Sequence, residues 1–71
     1  YDIIVSNDMN NLKKIRILKK MSQSELAAAS GVNFKTLQDY EQGRRDINKA
    51  SISTVLKLAN ALGTSMDLIL N

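Results

Sequence analysis

The most informative pattern of apolar and polar residues lies between Ser22 and Gly43, where two short helices follow each other with only a turn between them. Ser22 and Glu25 have the spacing of a capping box, in which each side chain satisfies a backbone amide that is free at a helix start. Gly31 ends this helix, because glycine adopts the left-handed conformation of a helix stop without the steric cost of a Cβ atom. The pattern therefore predicts a helix from Ser22 to Gly31.

The next helix begins directly after a turn in which Val32 is the apolar plug and Asn33 is a favourable N-cap. Its inward positions, Leu37 and Tyr40, lie three residues apart and so share one face of a helix. The residues that point outward on this helix are Phe34, Lys35, Thr36, Gln38 and Asp39. Two helices joined by a tight turn, with one face of the second left open, can place that helix in a DNA groove.

Ahead of this pair, the sequence predicts a first helix over about Met9 to Lys20. The candidate caps of its start are Ser6, Asn7 and Asp8, and the residues that share one face are Leu12, Ile15, Arg16 and Lys19. Ile17 falls on the opposite side, and an apolar run lies upstream at residues 3–5. We therefore expect residues 1–8 to form an N-terminal arm that folds back over Ile17 and Leu18, in the same chain or on a partner subunit.

Downstream, Ser51 is the predicted N-cap of a fourth helix that runs to about Leu62 and stops at Gly63. Its apolar residues at helical spacing are Ile52, Val55, Leu56, Ala59 and Leu62. A fifth, short helix is predicted after a cap at Thr64 or Ser65, with the apolar residues Met66, Leu68, Ile69 and Leu70. No stretch alternates with period two for long enough to form a sheet, so we expect an all-α fold of five short helices.

The size and composition of the chain narrow the range of functions that it can have. Seventy-one residues supply one core, which we assign to residues 9–71. The chain has no cysteine for a disulfide or zinc site and no histidine, the commonest metal ligand and general base, so we expect no enzymatic activity, metal or cofactor. No apolar run approaches the roughly 18 residues that span a bilayer, which indicates a cytoplasmic protein without a membrane partner. The net charge of +3 suits a polyanionic partner without requiring one.

Four sequence motifs resemble a known family. These motifs are SQSELA at the start of the second helix, the turn Gly31–Val32, YEQGRR at the end of the third helix, and LKLANALGTSMDLIL. Over about Leu12 to Leu70, the chain resembles the phage-repressor and Cro-like helix-turn-helix DNA-binding domains of the xenobiotic response element type. The resemblance implies a compact five-helix, lambda-repressor-like domain. Its third helix would enter the major groove, and its second helix, from Gln23, would cross the phosphate backbone.

The chain departs from this family at three points. Ser30 occupies a position where an apolar residue is usual, and the connection RRDINKAS after Gly43 is longer than in the shortest members. Asp39 places a negative charge on the face expected to meet DNA. Its carboxylate can accept a hydrogen bond from a cytosine amino group or pair with Lys35 one turn earlier, and we favour the pair with Lys35 in the free protein.

The candidate DNA-binding residues are Gln23, Asn33, Phe34, Lys35, Thr36, Gln38, Asp39, Arg44, Arg45 and Lys49. Lys35 can donate to guanine or to a phosphate, and Gln38 can pair with adenine. Phe34 either packs against the second helix or touches a thymine methyl group. We expect phosphate contacts from Gln23 and Thr36, with Asn33 chiefly a cap.

Two groups of charged residues that do not lie on the outward face of the third helix also have expected roles, one in phosphate contact and one in the structure of the domain. Arg44, Arg45 and Lys49 form a basic cluster in the following loop, which would hold the phosphate backbone unless these are ordinary solvated charges. By the resemblance, Arg16 and Glu41 form a partly buried ion pair between the first and third helices, although each residue could instead be exposed.

These observations predict a sequence-specific regulator of transcription, a repressor that binds a palindromic site on double-stranded DNA as a homodimer. The fifth helix, Met66 to Leu70, and the N-terminal arm are the candidate dimer surfaces. Alternatively both segments only close the core, which we favour for Leu68. A second hypothesis is an antitoxin-like interaction module that clamps a toxin partner and whose DNA binding is autoregulatory.

Overall fold

The computed structural model describes residues 10–70 and shows helices without strands in that part of the chain. The helices are α1 (Asn11–Leu18), α2 (Gln23–Ser30), α3 (Phe34–Gln42), α4 (Ile52–Leu62) and α5 (Met66–Ile69), and a 3₁₀ turn covers Ile47–Lys49. The prediction of an all-α fold with five helices is therefore confirmed for the described residues. The expected N-terminal arm and its proposed contacts lie outside these residues.

Local side-chain chemistry sets the helix boundaries in the middle of the chain. At the start of α2, Ser22 Oγ accepts from the amide of Glu25 at 3.0 Å, and Glu25 Oε1 accepts from the amide of Ser22 at 2.7 Å. Both hydrogen bonds of the predicted capping box are thus present. Gly31 follows α2 with φ of 76° and Gly43 follows α3 with φ of 82°, a left-handed conformation that stops each helix.

The boundaries of α1 differ from the prediction. Asn10 is its N-cap, since Asn10 Oδ1 accepts from the amide of Lys13 at 3.0 Å, so the caps expected at positions 6, 7 or 8 are wrong for this helix. The helix ends at Leu18, and Lys19 is an exposed cap rather than part of an inward face. Lys20 has a φ of 60°, which ends the helix although lysine is not the residue that usually marks such a stop.

The core draws side chains from every helix and from the 3₁₀ turn. Its buried members are Leu12, Leu26, Leu37, Tyr40, Ile47, Val55, Leu58, Ala59, Leu62 and Ile69. α2 packs against both α3 and α4, while α5 packs against α4 and α1. Ile47 is the buried residue of the loop after α3 and anchors that loop to the domain.

Two apolar stretches are oriented differently from the pattern read off the sequence. On α4, Leu58 is buried, whereas Ile52 and Leu56 are 74% and 45% exposed. Ile52 lies in the first turn, beyond the edge of the core, and Leu56 is rotated about 100° from buried Val55. On α5, Ile69 is buried and Leu68 is 54% exposed, so the interpretation that Leu68 closes the core is wrong.

Candidate nucleic-acid interface

The turn between α2 and α3 is held by short-range hydrogen bonds. Ser30 is buried, and its hydroxyl accepts from the amide of Val32 at 3.2 Å and lies 3.4 Å from the carbonyl oxygen of Ala27. Asn33 Oδ1 then accepts from the amides of Lys35 at 2.9 Å and Thr36 at 3.3 Å. The serine at an ordinarily apolar position is thus satisfied by local bonds, and Asn33 is a cap in the structure.

α3 has one buried face and one open face. Leu37, Tyr40 and Glu41 are buried against the rest of the domain. The face away from the core carries exposed Phe34 and Lys35, with Thr36, Gln38 and Asp39 partly exposed. The anchor expected from Leu37 and Tyr40 is therefore present, and half-buried Val32 packs against the same core. This geometry presents the outward side chains of a rigidly held helix to a partner.

A nearly buried ion pair links α3 to α1. Arg16 Nε donates to Glu41 Oε2 at 2.7 Å, and Arg16 Nη2 donates to Glu41 Oε1 at 3.0 Å. The side chains of Arg16 and Glu41 are only 12% and 1% exposed. Arg16 Nη1 also donates to the carbonyl oxygen of Met21 at 2.8 Å, and this hydrogen bond holds the loop before α2 against α1. The pair implied by the family resemblance is thus present, and a bidentate pair of this kind has a fixed geometry.

Gln23 joins the same network. Its Nε2 atom donates to Glu41 Oε1 at 3.1 Å, which brings the first residue of α2 against the end of α3. The amide of Gln23 is therefore directed toward Glu41 in the free protein, and its contact with a phosphate stays a prediction.

A second charged cluster lies at the outer end of α3; we call Asp39, Lys35, Arg44 and Arg45 the Asp39 cluster. Lys35 Nζ lies 2.9 Å and Arg44 Nε 3.0 Å from Asp39 Oδ1, and Arg45 Nε lies 3.8 Å from Asp39 Oδ2. The hydrogen bonds from Lys35 and Arg44 lower the pKa of the Asp39 carboxyl below its usual value. The pair favoured between Lys35 and Asp39 is present, and two arginines join it.

The basic loop after α3 surrounds a shallow depression. Arg45 and Lys49 line this depression of about 240 Å³ together with Tyr40, Asp46 and Ala50. Arg44, Arg45 and Lys49 are all exposed, and of the three the structure brings Arg45 and Lys49 together at this depression, while Arg44 lies against Asp39.

Two residues that position this surface are not among the candidate site residues predicted from the sequence. Asn10 Nδ2 donates to the carbonyl oxygen of Tyr40 at 2.6 Å and so fixes the end of α3 from α1. Buried Ile47 anchors the basic loop, and its signal was an isolated apolar residue in the charged run after Gly43. Asn10 had no such signal, because its partner lies thirty residues away.

Other kinds of site find little support in the described chain. Residues 10–70 contain no group of acidic side chains that could hold a metal ion. In the same range, every helix is too short or too polar to cross a membrane.

Comparison with known proteins gives the family. A model of the Helix-turn-helix family matches residues 12–69. The crystal structure of the restriction-modification controller protein C.AhdI from Aeromonas hydrophila is similar, with a TM-score of 0.75 and 32% identity, over 84% of this chain and 86% of that one. No curated protein matches the sequence significantly. Because the family match covers most of the chain and the fold agrees, this protein belongs to the Cro/C1-type helix-turn-helix family of DNA-binding transcriptional regulators.

Proposed function

We propose that the protein binds a specific sequence of double-stranded DNA by inserting α3 into the major groove. The observation that supports this function is the division of α3 into a buried face, which anchors it, and an open face of polar and basic side chains. A helix held in this way can bring its outward side chains to base edges, and the major groove is wide enough to admit it.

The side chains on the open face differ in what they can recognise. Lys35 can donate to guanine O6 and N7, and Gln38 can make a paired contact with adenine. The side-chain amide of Gln38 makes no hydrogen bond within the described part of the chain, so its donors and acceptor are available for a base. Phe34 is exposed, which suits a contact with a thymine methyl group.

Contacts to the phosphate backbone would flank this reading face. We assign them to Gln23 and Thr36 on one side and to the loop residues Arg44, Arg45 and Lys49 on the other. Such contacts set the position and orientation of the protein on the duplex and carry no sequence information themselves.

Selection of bound sequences from a random duplex pool tests the main proposal. We expect an enriched consensus, and we expect Lys35→Ala to weaken binding to it roughly tenfold, since one good base contact contributes about 1 to 3 kcal/mol. The matched control is Lys57→Ala, which removes an exposed lysine from α4. Fluorescence anisotropy at fixed salt measures both variants, and equal affinities for the two would contradict the role of Lys35.

We further propose that the protein acts as a homodimer and represses transcription. One reading helix covers few base pairs, so specific binding generally uses two helices about 34 Å apart on a symmetric site. Exposed Leu68 on α5 supports a subunit contact there, because covering a large apolar side chain by a partner lowers the free energy of the system. Ile52 and Leu56 add exposed apolar surface on α4.

Sedimentation equilibrium tests the dimer. We expect a concentration-dependent dimer, and we expect Leu68→Lys to raise its dissociation constant at least about tenfold, since burying an unpaired charge in an apolar contact is unfavourable. Ala28→Lys introduces the same charge at an exposed position of α2 and should leave the dimer unchanged. Loss of the dimer in both variants, or in neither, would argue against α5 as the interface.

The similarity to the restriction-modification controller protein supports a more specific proposal, namely that this protein controls restriction-modification genes. If so, reading frames for a methyltransferase and an endonuclease should lie beside its gene. A neighbouring toxin reading frame would favour the antitoxin hypothesis instead. In either context, a reporter assay should show lower transcription from a promoter that overlaps the selected site, and higher transcription would contradict the repressor role.

A further inference from the structure

The Asp39 cluster has a property that DNA binding alone does not require. Three of the cations proposed to contact DNA, Lys35, Arg44 and Arg45, all converge on one carboxylate of the protein itself. A carboxylate offers these cations the same kind of partner as a phosphate, namely a negatively charged oxygen. DNA phosphates and Asp39 therefore compete for the same side chains.

The exposures of these side chains make exchange between the two partners possible. The side chains of Lys35, Arg44 and Arg45 are 67%, 54% and 59% exposed, whereas Asp39 is 16% exposed. A duplex can thus reach the cations from the solvent side while the carboxylate stays behind them. Ion pairs between exposed groups are weak, so a phosphate can replace the carboxylate as the partner of a cation. The free energy needed to break each ion pair lowers the net contribution of the new phosphate contact to affinity.

The backbone holds this arrangement independently of the ion pairs. The amides of Arg44 and Arg45 donate to the carbonyl oxygen of Asp39 at 2.9 Å and 3.2 Å. The carboxylate and both arginines are therefore kept within reach of each other by the turn that ends α3. Removal of the carboxylate charge should leave this turn in place, which makes the competition testable by substitution.

We propose that Asp39 is a specificity-determining residue that competes with DNA phosphates for Lys35, Arg44 and Arg45, so that duplexes offering only phosphate contacts bind weakly. This inference rests on the proposed function. Binding to random sequence depends almost wholly on phosphate contacts, whereas a specific site adds base contacts along α3. Competition from Asp39 therefore removes a larger share of the affinity for random DNA, and it raises the ratio of specific to non-specific binding.

The test compares wild type with Asp39→Asn on a random-sequence duplex and on the selected duplex at several salt concentrations. We expect Asp39→Asn to bind the random duplex about tenfold more tightly, with a slope of log affinity against log salt steeper by about 1 to 2, as each added phosphate contact contributes roughly 0.9. Affinity for the selected duplex should rise less, so the specificity ratio should fall.

The matched control is Asn60→Lys, which adds one positive charge at an exposed position of α4 and changes the net charge equally. We expect Asn60→Lys to change affinity for the random duplex less than about twofold and to leave the salt slope unaltered, because it frees no cation of the Asp39 cluster. Equal behaviour of the two variants on random duplex would overturn the inference. Weaker binding of Asp39→Asn would also overturn it, since Asp39 would then position the cations for DNA.

The outcome separates this inference from the proposed function. If wild type selects no consensus sequence, the proposed function fails, while Asp39→Asn and its control still report on the random duplex. If a consensus is found and the variants behave alike, only the inference fails. Circular dichroism establishes that each variant is folded, and Asp39→Ser, which also removes the charge, replaces Asp39→Asn if that variant does not fold.

Discussion

Replacement of Glu41 by alanine is expected to lower the free energy of unfolding by about 3 kcal/mol or more. The substitution leaves the Arg16 side chain, which is only 12% exposed, without its carboxylate partner. It also removes the acceptor of the Gln23 amide. Small domains have a total stability of roughly 5 to 15 kcal/mol, so this loss would remove a large share of the stability of a domain at the lower end of that range. Urea denaturation followed by circular dichroism measures the change.

Two further variants show whether an unpaired charge is the cause. Gln42→Ala changes the exposed neighbour on α3 and should alter stability by less than about 0.5 kcal/mol. The double variant Arg16→Met with Glu41→Leu removes both charges and keeps apolar volume, so it should be clearly more stable than Glu41→Ala alone. If Glu41→Ala is no less stable than Gln42→Ala, the ion pair does not hold α1 to α3.

Joint replacement of Arg44 and Arg45 by alanine is the second large expected effect. We expect affinity for the selected duplex to fall about 10- to 100-fold at moderate salt, and the salt slope to decrease by about 2, because two phosphate contacts are lost. The consensus sequence selected by the variant should stay the same, since phosphate contacts do not read bases. A salt series of anisotropy titrations measures both the affinity and the slope.

The control for this prediction removes the same charge elsewhere. Lys19→Ala with Lys57→Ala replaces two exposed lysines at the end of α1 and on α4. If this variant loses as much affinity and slope as the arginine variant, net charge alone explains the effect. The loop after α3 would then have no special place on the duplex.

Much of the local structure could be predicted because its causes lie within a few residues. The capping box of Ser22 and Glu25 and the glycine stops at positions 31 and 63 all occupy the expected places. Asn10 and Lys20 were harder to assign. Asn10 competes with several equally good caps upstream, and Lys20 has no special tendency to adopt the left-handed conformation.

The faces of the last helices were predicted less well. Helical spacing groups Ile52 with Val55 and Ala59, but a short helix extends beyond the core that it covers, and its first turn remains exposed. In α5, several adjacent apolar residues fit any orientation of so short a helix. Contact with α4 and α1 selects Ile69 as the buried one and leaves Leu68 outside.

The helix-turn-helix, its family and the division of α3 into an anchored and an outward face could all be predicted from the sequence, because caps, glycine stops and helical periodicity act over one or two turns. The further partners of the charged groups became evident only from the folded chain. Gln23 points to Glu41 on another helix, and Arg44 and Arg45 converge with Lys35 on Asp39. Such partners depend on how a turn or a separate helix brings the groups together, since a long side chain can reach several groups and only packing selects among them.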